Sequence, residues 1–322
     1  MPLTPEARSL LDMAYRVGAP RFHDLTVDQA RRSFEKLQFA FRGEAPPVAS
    51  TTEVPIPRPD GSALLARLYR PLESHAGDAL PLAIWFHGGG WCVGDVASYD
   101  VTCRELCNQS GCAVLSVDYR LAPEHPFPAA IHDARLAFDW CKGQAPSLGI
   151  DPARIALGGD SAGGNLAIVT SIALRDEGLR LPRFLLLVYP STEIVSGRPS
   201  RERFAEGYFL DRGTLAWFFG HYLPDGNTED WRVSPMRAAS LAGLPPMLLL
   251  GAEFDPLVDD CTAFASRVRA EGGEVDYEVA AGMIHGYLTL GKCFPEARAS
   301  VSRAARALRE RFGGAGAVAR VE

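Results

Sequence analysis

The chain has 322 residues, 47% apolar and 22% charged, the make-up of a folded globular protein and not of a disordered one. A net charge of −6 and the lack of any basic stripe argue against a nucleic-acid partner. No run approaches the roughly 18 consecutive apolar residues of a membrane span, and Glu6, Arg8, Asp12 and Arg16 interrupt what would otherwise be a secretory leader.

Thr4 to Arg42 predicts two helical pieces. Leu10, Leu11, Ala14 and Tyr15, then Phe34, Leu37 and Phe41, recur at helical spacing, and Gly18-Ala19-Pro20 parts them. Ser50–Ile56 and Leu64–Tyr69 predict two strands about the turn Pro59-Asp60-Gly61. From Leu80 onward, apolar runs recur at Leu82–Phe86, Ala113–Val117, Arg154–Gly158, Phe184–Tyr189, Met247–Leu250 and Val275–Ala280. Helical stretches lie between and after them, near Ala97–Ser110, Ala129–Lys142, Asn165–Glu177, Asp259–Glu271 and Pro295–Phe312. Strands buried on both faces and alternating with helices predict an α/β fold, a mainly parallel eight-stranded sheet flanked by helices.

Ser191–Pro235 breaks the alternation. It holds Phe204, Tyr208, Phe209, Trp217, Phe218, Phe219, Tyr222 and Trp231, and predicts a partly helical insertion over the sheet's carboxyl edge. The expected organisation is N-terminal cap helices at 1–45, a first core part at 46–190, a cap insertion at 191–235 and a second core part at 236–322. The tail Gly313–Glu322 is small and polar and is expected to fray. Seven cysteines, an odd number with no Cys-x-x-Cys, argue against a disulfide framework or a zinc site and favour reduced thiols in a cytoplasmic protein.

The stretch Gly158-Gly159-Asp160-Ser161-Ala162-Gly163-Gly164 joins a short apolar run to a helical one and fits Gly-x-Ser-x-Gly. A serine projecting from such a turn sits on a strained backbone, and a side chain two residues to either side would collide with the neighbouring strand or helix. The plain alternative is a helix N-cap serine. Three further pieces also follow strands: His87-Gly88-Gly89-Gly90-Trp91, Glu253-Phe254-Asp255-Pro256-Leu257, and Met283-Ile284-His285-Gly286-Tyr287. A parallel sheet would gather all four at its carboxyl edge. Rivals to Asp255 are Glu253, Asp259 and Asp260; rivals to His285 are His23, His75, His125, His132 and His221. Asp118–Ala130, with three prolines, reads as a buried polar brace for the serine turn more readily than as a catalytic part. No phosphate loop fits, because Asn165-Leu166 stands where Lys-Ser/Thr is needed.

The serine turn, the HGGG loop and the chain order Ser161, Asp255, His285 are features of α/β-hydrolases. Together with Asp118-Tyr119-Arg120-Leu121-Ala122-Pro123-Glu124, Asp255-Pro256-Leu257 and His285-Gly286, they resemble the bacterial hormone-sensitive-lipase-like (family IV) esterases from about Leu80 to Tyr287. Tyr287 departs from the phenylalanine often found there. The resemblance implies an α/β-hydrolase fold with a helical cap and a carboxylic-ester hydrolase acting through an acyl-enzyme. Ser161 would be the nucleophile, His285 the base and Asp255 its partner. The N–H groups of Gly88, Gly89 and Ala162 would form the oxyanion hole, and Trp91, Tyr208, Phe209 and Tyr287 would line the pocket. His87 would support its loop. No metal or organic cofactor is implied. The expected partner is a small-molecule ester of short to medium acyl length, and a homodimer is a possible assembly. Amidase, peptidase or acyltransferase chemistry could use the same triad, and a ligand-binding protein without catalysis is the alternative outside the enzyme class.

Overall fold

The computed structural model describes residues 2–75 and 77–313, so all but Gly313 of the tail expected to fray lies outside the described residues. Two helices come first, α1 (Pro5–Arg16) and α2 (Val27–Phe41). Thr4 and Thr26 cap them, accepting the Ala7 and Gln29 N–H groups. The strands β1 (Ser50–Pro57) and β2 (Ala63–Arg70) form a hairpin. Alternation follows: β3 (Leu80–Phe86), α3 (Asp100–Ser110), β4 (Ala113–Val117), α4 (Ala129–Gln144), β5 (Ile150–Asp160), α5 (Ala162–Asp176) and β6 (Phe184–Val188). Two short helices, α6 (Pro199–Arg203) and α7 (Arg212–Tyr222), interrupt it before β7 (Met247–Phe254), α8 (Val258–Ala270), β8 (Val275–Ile284) and α9 (Pro295–Phe312).

Among the described residues the strands form one eight-stranded sheet in the order β1-β2-β4-β3-β5-β6-β7-β8. The strand β2 runs antiparallel to both neighbours, and all pairs from β4 to β8 are parallel. This is the α/β-hydrolase architecture expected from the sequence. β4 and β6 are buried throughout, which explains their unbroken apolar runs. Helix α3 packs on α9 and α4 on α5, covering the sheet.

The chain leaves β3 for β4 on one side and returns to β5 on the other. That reversal opens a crevice between the carboxyl ends of β3 and β5, where sheets of this kind bind ligands. The glycine loop follows β3 and the serine turn follows β5. Above the crevice, Phe22 meets Phe218 edge-on with ring centroids 5.7 Å apart and Trp217 at 6.5 Å, so the segment before α2 rests against α7. The helix α2 is pinned lower down. Arg31 donates to the Cys92 and Ala122 carbonyls and to both Glu124 carboxylate oxygens.

Candidate active site

Ser161 stands between β5 and α5 at φ 52° and ψ −116°, a conformation that costs a non-glycine residue strain. The turn is possible because Gly159 and Gly163 lack side chains: a Cβ on either would run into the Phe86 carbonyl at the end of β3. The Ser161 N–H donates to the Val188 carbonyl at 2.9 Å, and its own carbonyl receives the Asn165 and Ser191 N–H groups. Buried Asn165 donates onward to the Ser191 and Val233 carbonyls, tying the loop after β6 to the same turn.

The Ser161 hydroxyl donates to His285 Nε2 at 2.9 Å, and His285 Nδ1–H donates to Asp255 Oδ2 at 2.6 Å. Asp255 is fully buried, and its Oδ1 accepts the Leu257 N–H at 2.8 Å. The Tyr189 ring lies 4.5 Å from the imidazole, centroid to centroid. Each rival acid is committed elsewhere. Asp259 accepts the Ser200 N–H, Asp260 binds Arg201 and Ser196, and Glu253 accepts the Gly282 N–H. Among the histidines, His23 sits by Asp211, and His87 stacks on Tyr119 while donating to the Gly88 carbonyl.

The glycine loop corrects one expectation. The Gly88 N–H does not face the serine. It donates to Asp160 Oδ1 at 2.9 Å and lies 3.0 Å from the Tyr99 hydroxyl, which itself donates to Asp160 Oδ2 at 2.8 Å. A buried carboxylate demands such donors, and it takes Gly88 to supply one. Gly89 and Gly90 line the cavity in front of Ser161, as does Ala162, and among the described residues none of their N–H groups has an acceptor. Burial pushes the Asp160 carboxyl up to about 6, against the lowering by the Tyr99 hydrogen bond and nearby His285. The sequence reading missed Asp160, Tyr99 and Gly90. Asp160 stood inside the motif itself, an acidic residue at the buried end of a strand.

The cavity of about 60 Å³ beside Ser161 and His285 is mainly aromatic and aliphatic. Trp91 and Phe209 line it. Tyr208 and Tyr287 do not. Tyr208 stacks on Phe254 and meets Phe204 edge-on, and Tyr287 turns its hydroxyl to Ser300 Oγ at 2.7 Å. Trp91 both lines and packs, since its ring stacks on Tyr222 at 4.3 Å. The segment 118–130 does not brace the turn through its charges: Arg120 binds Asp133, and Glu124 binds Arg31. It meets the glycine loop through Tyr119, whose hydroxyl donates to the His87 carbonyl, and through the Ala122 N–H, which donates to the Trp91 carbonyl. A wider cleft of about 680 Å³ at the amino ends of β5, β6 and β7 is lined by arginines such as Arg180 and Arg183 and contains no nucleophile. Among the described residues no group of three or more His, Cys, Asp or Glu is placed to hold a metal ion, and no helix is long and apolar enough to cross a membrane.

A glycine-flanked serine turn after β5, a histidine after β8 and an acid after β7, on this sheet order, define the α/β-hydrolase class. Comparison with known proteins agrees. A family model described as the alpha/beta hydrolase fold matches residues 83–289. A carboxylic ester hydrolase of Mycobacterium tuberculosis is 43% identical over 246 residues, 74% of this chain and 64% of its own length, so the match spans under two thirds of that relative. An ethyl acetate hydrolase of Pseudomonas putida is 36% identical over 290 residues, 89% of this chain and 91% of its own. The crystal structure of an alpha/beta hydrolase enzyme from the metagenome of Lake Arreo, Spain, is 41% identical and superposes with a TM-score of 0.93, covering 97% of this chain and 99% of that one. The chain belongs to the α/β-hydrolase family, in its bacterial hormone-sensitive-lipase-like branch.

Proposed function

We propose that this protein is a carboxylic-ester hydrolase working through an acyl-enzyme, with Ser161, His285 and Asp255 as its triad. The observation that carries the reading is the unbroken hydrogen-bond line from Ser161 Oγ through the imidazole to buried Asp255. Asp255 holds the proton on His285 Nδ1, which leaves Nε2 free to take the Ser161 proton as Oγ attacks the ester carbonyl. The N–H groups of Gly89, Gly90 and Ala162 receive the oxyanion, each worth ~3 kcal/mol in systems of this kind. His285 then protonates the leaving alcohol, and water attacks the acyl-enzyme by the same route.

Residues 1–45 and 191–235 act as the cap. The contact of Phe22 with Phe218 and the narrowness of the cavity support a bounded pocket for short to medium acyl chains. The relatives named for ester hydrolysis favour esters over amides as the substrate class. The test is a p-nitrophenyl ester series from C2 to C16 on wild type and Ser161→Ala. Turnover should peak at short or medium length and vanish in the variant. Undiminished turnover in Ser161→Ala removes the mechanism, and a steady rise toward C16 removes the bounded pocket.

A further inference from the structure

We infer that Gln38 selects esters carrying a hydrogen-bond donor, a hydroxyl, on the chain beside the scissile bond. This rests on the ester-hydrolase reading and deepens it.

Helix α2 turns one stripe inward: Ala30, Phe34 and Gln38, spaced by four. That spacing calls for an apolar residue at each position. Position 38 carries a carboxamide instead, only 3% exposed. Its Oε1 is buried with no hydrogen-bond partner among the described residues. Gln38 lines the same cavity as Ser161 and His285, with Phe34, Phe22 and Phe218 beside it, and is the only carboxamide among the lining residues. Two other buried polar atoms on that lining, Trp91 Nε1 and Ser191 Oγ, are also without a partner. A leucine or methionine would fill the stripe without leaving a polar atom unsatisfied. A buried amide with nothing to bind carries a penalty that an occupant of the cavity can relieve.

The cavity of about 60 Å³ has room for several waters at the ~10–15 Å³ each requires, so the free protein can wet the amide. A plain alkyl chain entering the cavity strips that water and leaves Gln38 unpaired. A chain with a hydroxyl donates to Oε1 and replaces the lost bond. Sites built in this way discriminate against the analogue lacking the polar group. The unpaired atom is an acceptor, so the group it suits is one that donates.

The test compares kcat/KM for three esters of similar size on wild type and Gln38→Met: ethyl butanoate, ethyl 3-hydroxybutanoate and 2-hydroxyethyl butanoate. The second places the hydroxyl on the acyl side and the third on the alcohol side. Wild type should prefer one hydroxylated ester over ethyl butanoate by about 10-fold. Gln38→Met should abolish that preference, read as the ratio of kcat/KM values between the esters within each protein. A wild type that turns over all three esters without discrimination overturns the inference and leaves the ester-hydrolase reading standing. Equal loss on all three esters in Gln38→Met, at unchanged wild-type preference, also overturns it, because that is the signature of packing alone. A wild type inactive on every ester defeats the ester reading itself, and the inference falls with it.

Discussion

The Asp160 carboxylate accepts the Gly88 N–H at 2.9 Å, tying the serine turn to the glycine loop across 72 positions of sequence. Burial raises its pKa in the folded protein to about 6, from an ordinary 3.8. The folded state therefore holds this proton more tightly than the unfolded chain. Stability from this group is fully present below pH 4 and is lost as pH rises through about 6. The two-unit difference amounts to about 3 kcal/mol. Asp160→Asn keeps an acceptor for Gly88, offers Tyr99 a donor and cannot ionise. Relative to wild type it should gain about 2–3 kcal/mol between pH 4 and pH 8 in urea unfolding. A difference between the two proteins that does not change with pH would rule out the raised pKa.

Asp255 should matter through the orientation of a proton. Its Oδ1 is already engaged by the Leu257 N–H, so Asp255→Asn would keep its oxygen there and turn its NH₂ toward His285 Nδ1. The ring would then accept at Nδ1 and carry its proton on Nε2, facing Ser161. Such a tautomer cannot act as base, and kcat should fall by about 10⁴-fold with KM nearly unchanged. Steady-state kinetics on p-nitrophenyl butanoate check this, and a loss below 10-fold would exclude Asp255 from the role.

Asp133 on α4 should be a stability residue and not a catalytic one. Its side chain is almost wholly buried and receives Arg58 through Nε and Nη2, and Arg120 through its N–H, Nε and Nη2. Burial alone would raise its pKa, but the Arg58 and Arg120 hydrogen bonds bring it below 3.8. Its contribution is present above about pH 4 and is lost as pH falls through the lower folded value. Asp133→Asn should cost about 3–5 kcal/mol in urea unfolding, since two guanidiniums lose their counter-charge. The kcat per folded molecule should stay at the wild-type value; a large drop would place Asp133 in the chemistry.

Thiol titration should read the burial directly. Six of the seven cysteines are buried and Cys293 is partly exposed. Burial pushes Cys92 and Cys103 up to about 12, far from thiolate at neutral pH. With a disulfide reagent at pH 8 the native protein should release one fast equivalent, and seven in denaturant. Two or more fast equivalents in the native state would contradict the packing around the sheet.

The sheet and the chemistry-bearing turns were legible because each demands a residue type. A strand buried on two faces needs an unbroken apolar run, and the serine turn needs glycines where the Phe86 carbonyl approaches. Boundaries shifted by a few residues: the helix expected from Ala97 begins at Asp100, and the strand expected to end at Gly158 runs to Asp160. What stayed hidden was direction. That the first of three consecutive glycines spends its N–H on Asp160 and Tyr99 depends on two other elements that contribute those side chains. Tyr287 could have faced the pocket until Ser300, thirteen positions on, offered its hydroxyl a partner. Gln38 lay unmarked between Leu37 and Phe41 of the expected stripe, and its isolation required the packed cavity.

The two walls that meet over the serine differ in what holds them. Arg31 bolts α2 to the core through carbonyls and a carboxylate, bonds that are lost if the helix slides. The helix α7 is held at both ends, by Arg21 and His23 against Asp211 at its start and by the Phe127 N–H, which donates to the Tyr222 carbonyl at its end, while Phe22 meets Phe218 and Trp217 between them through ring faces and edges alone. Both jaws are therefore anchored by directed bonds, and what can slip without breaking one is the ring contact in the middle of α7. A bulky substrate should be admitted by movement of those rings and not of the helix, while the wall that carries Gln38 stays in place and continues to read what enters.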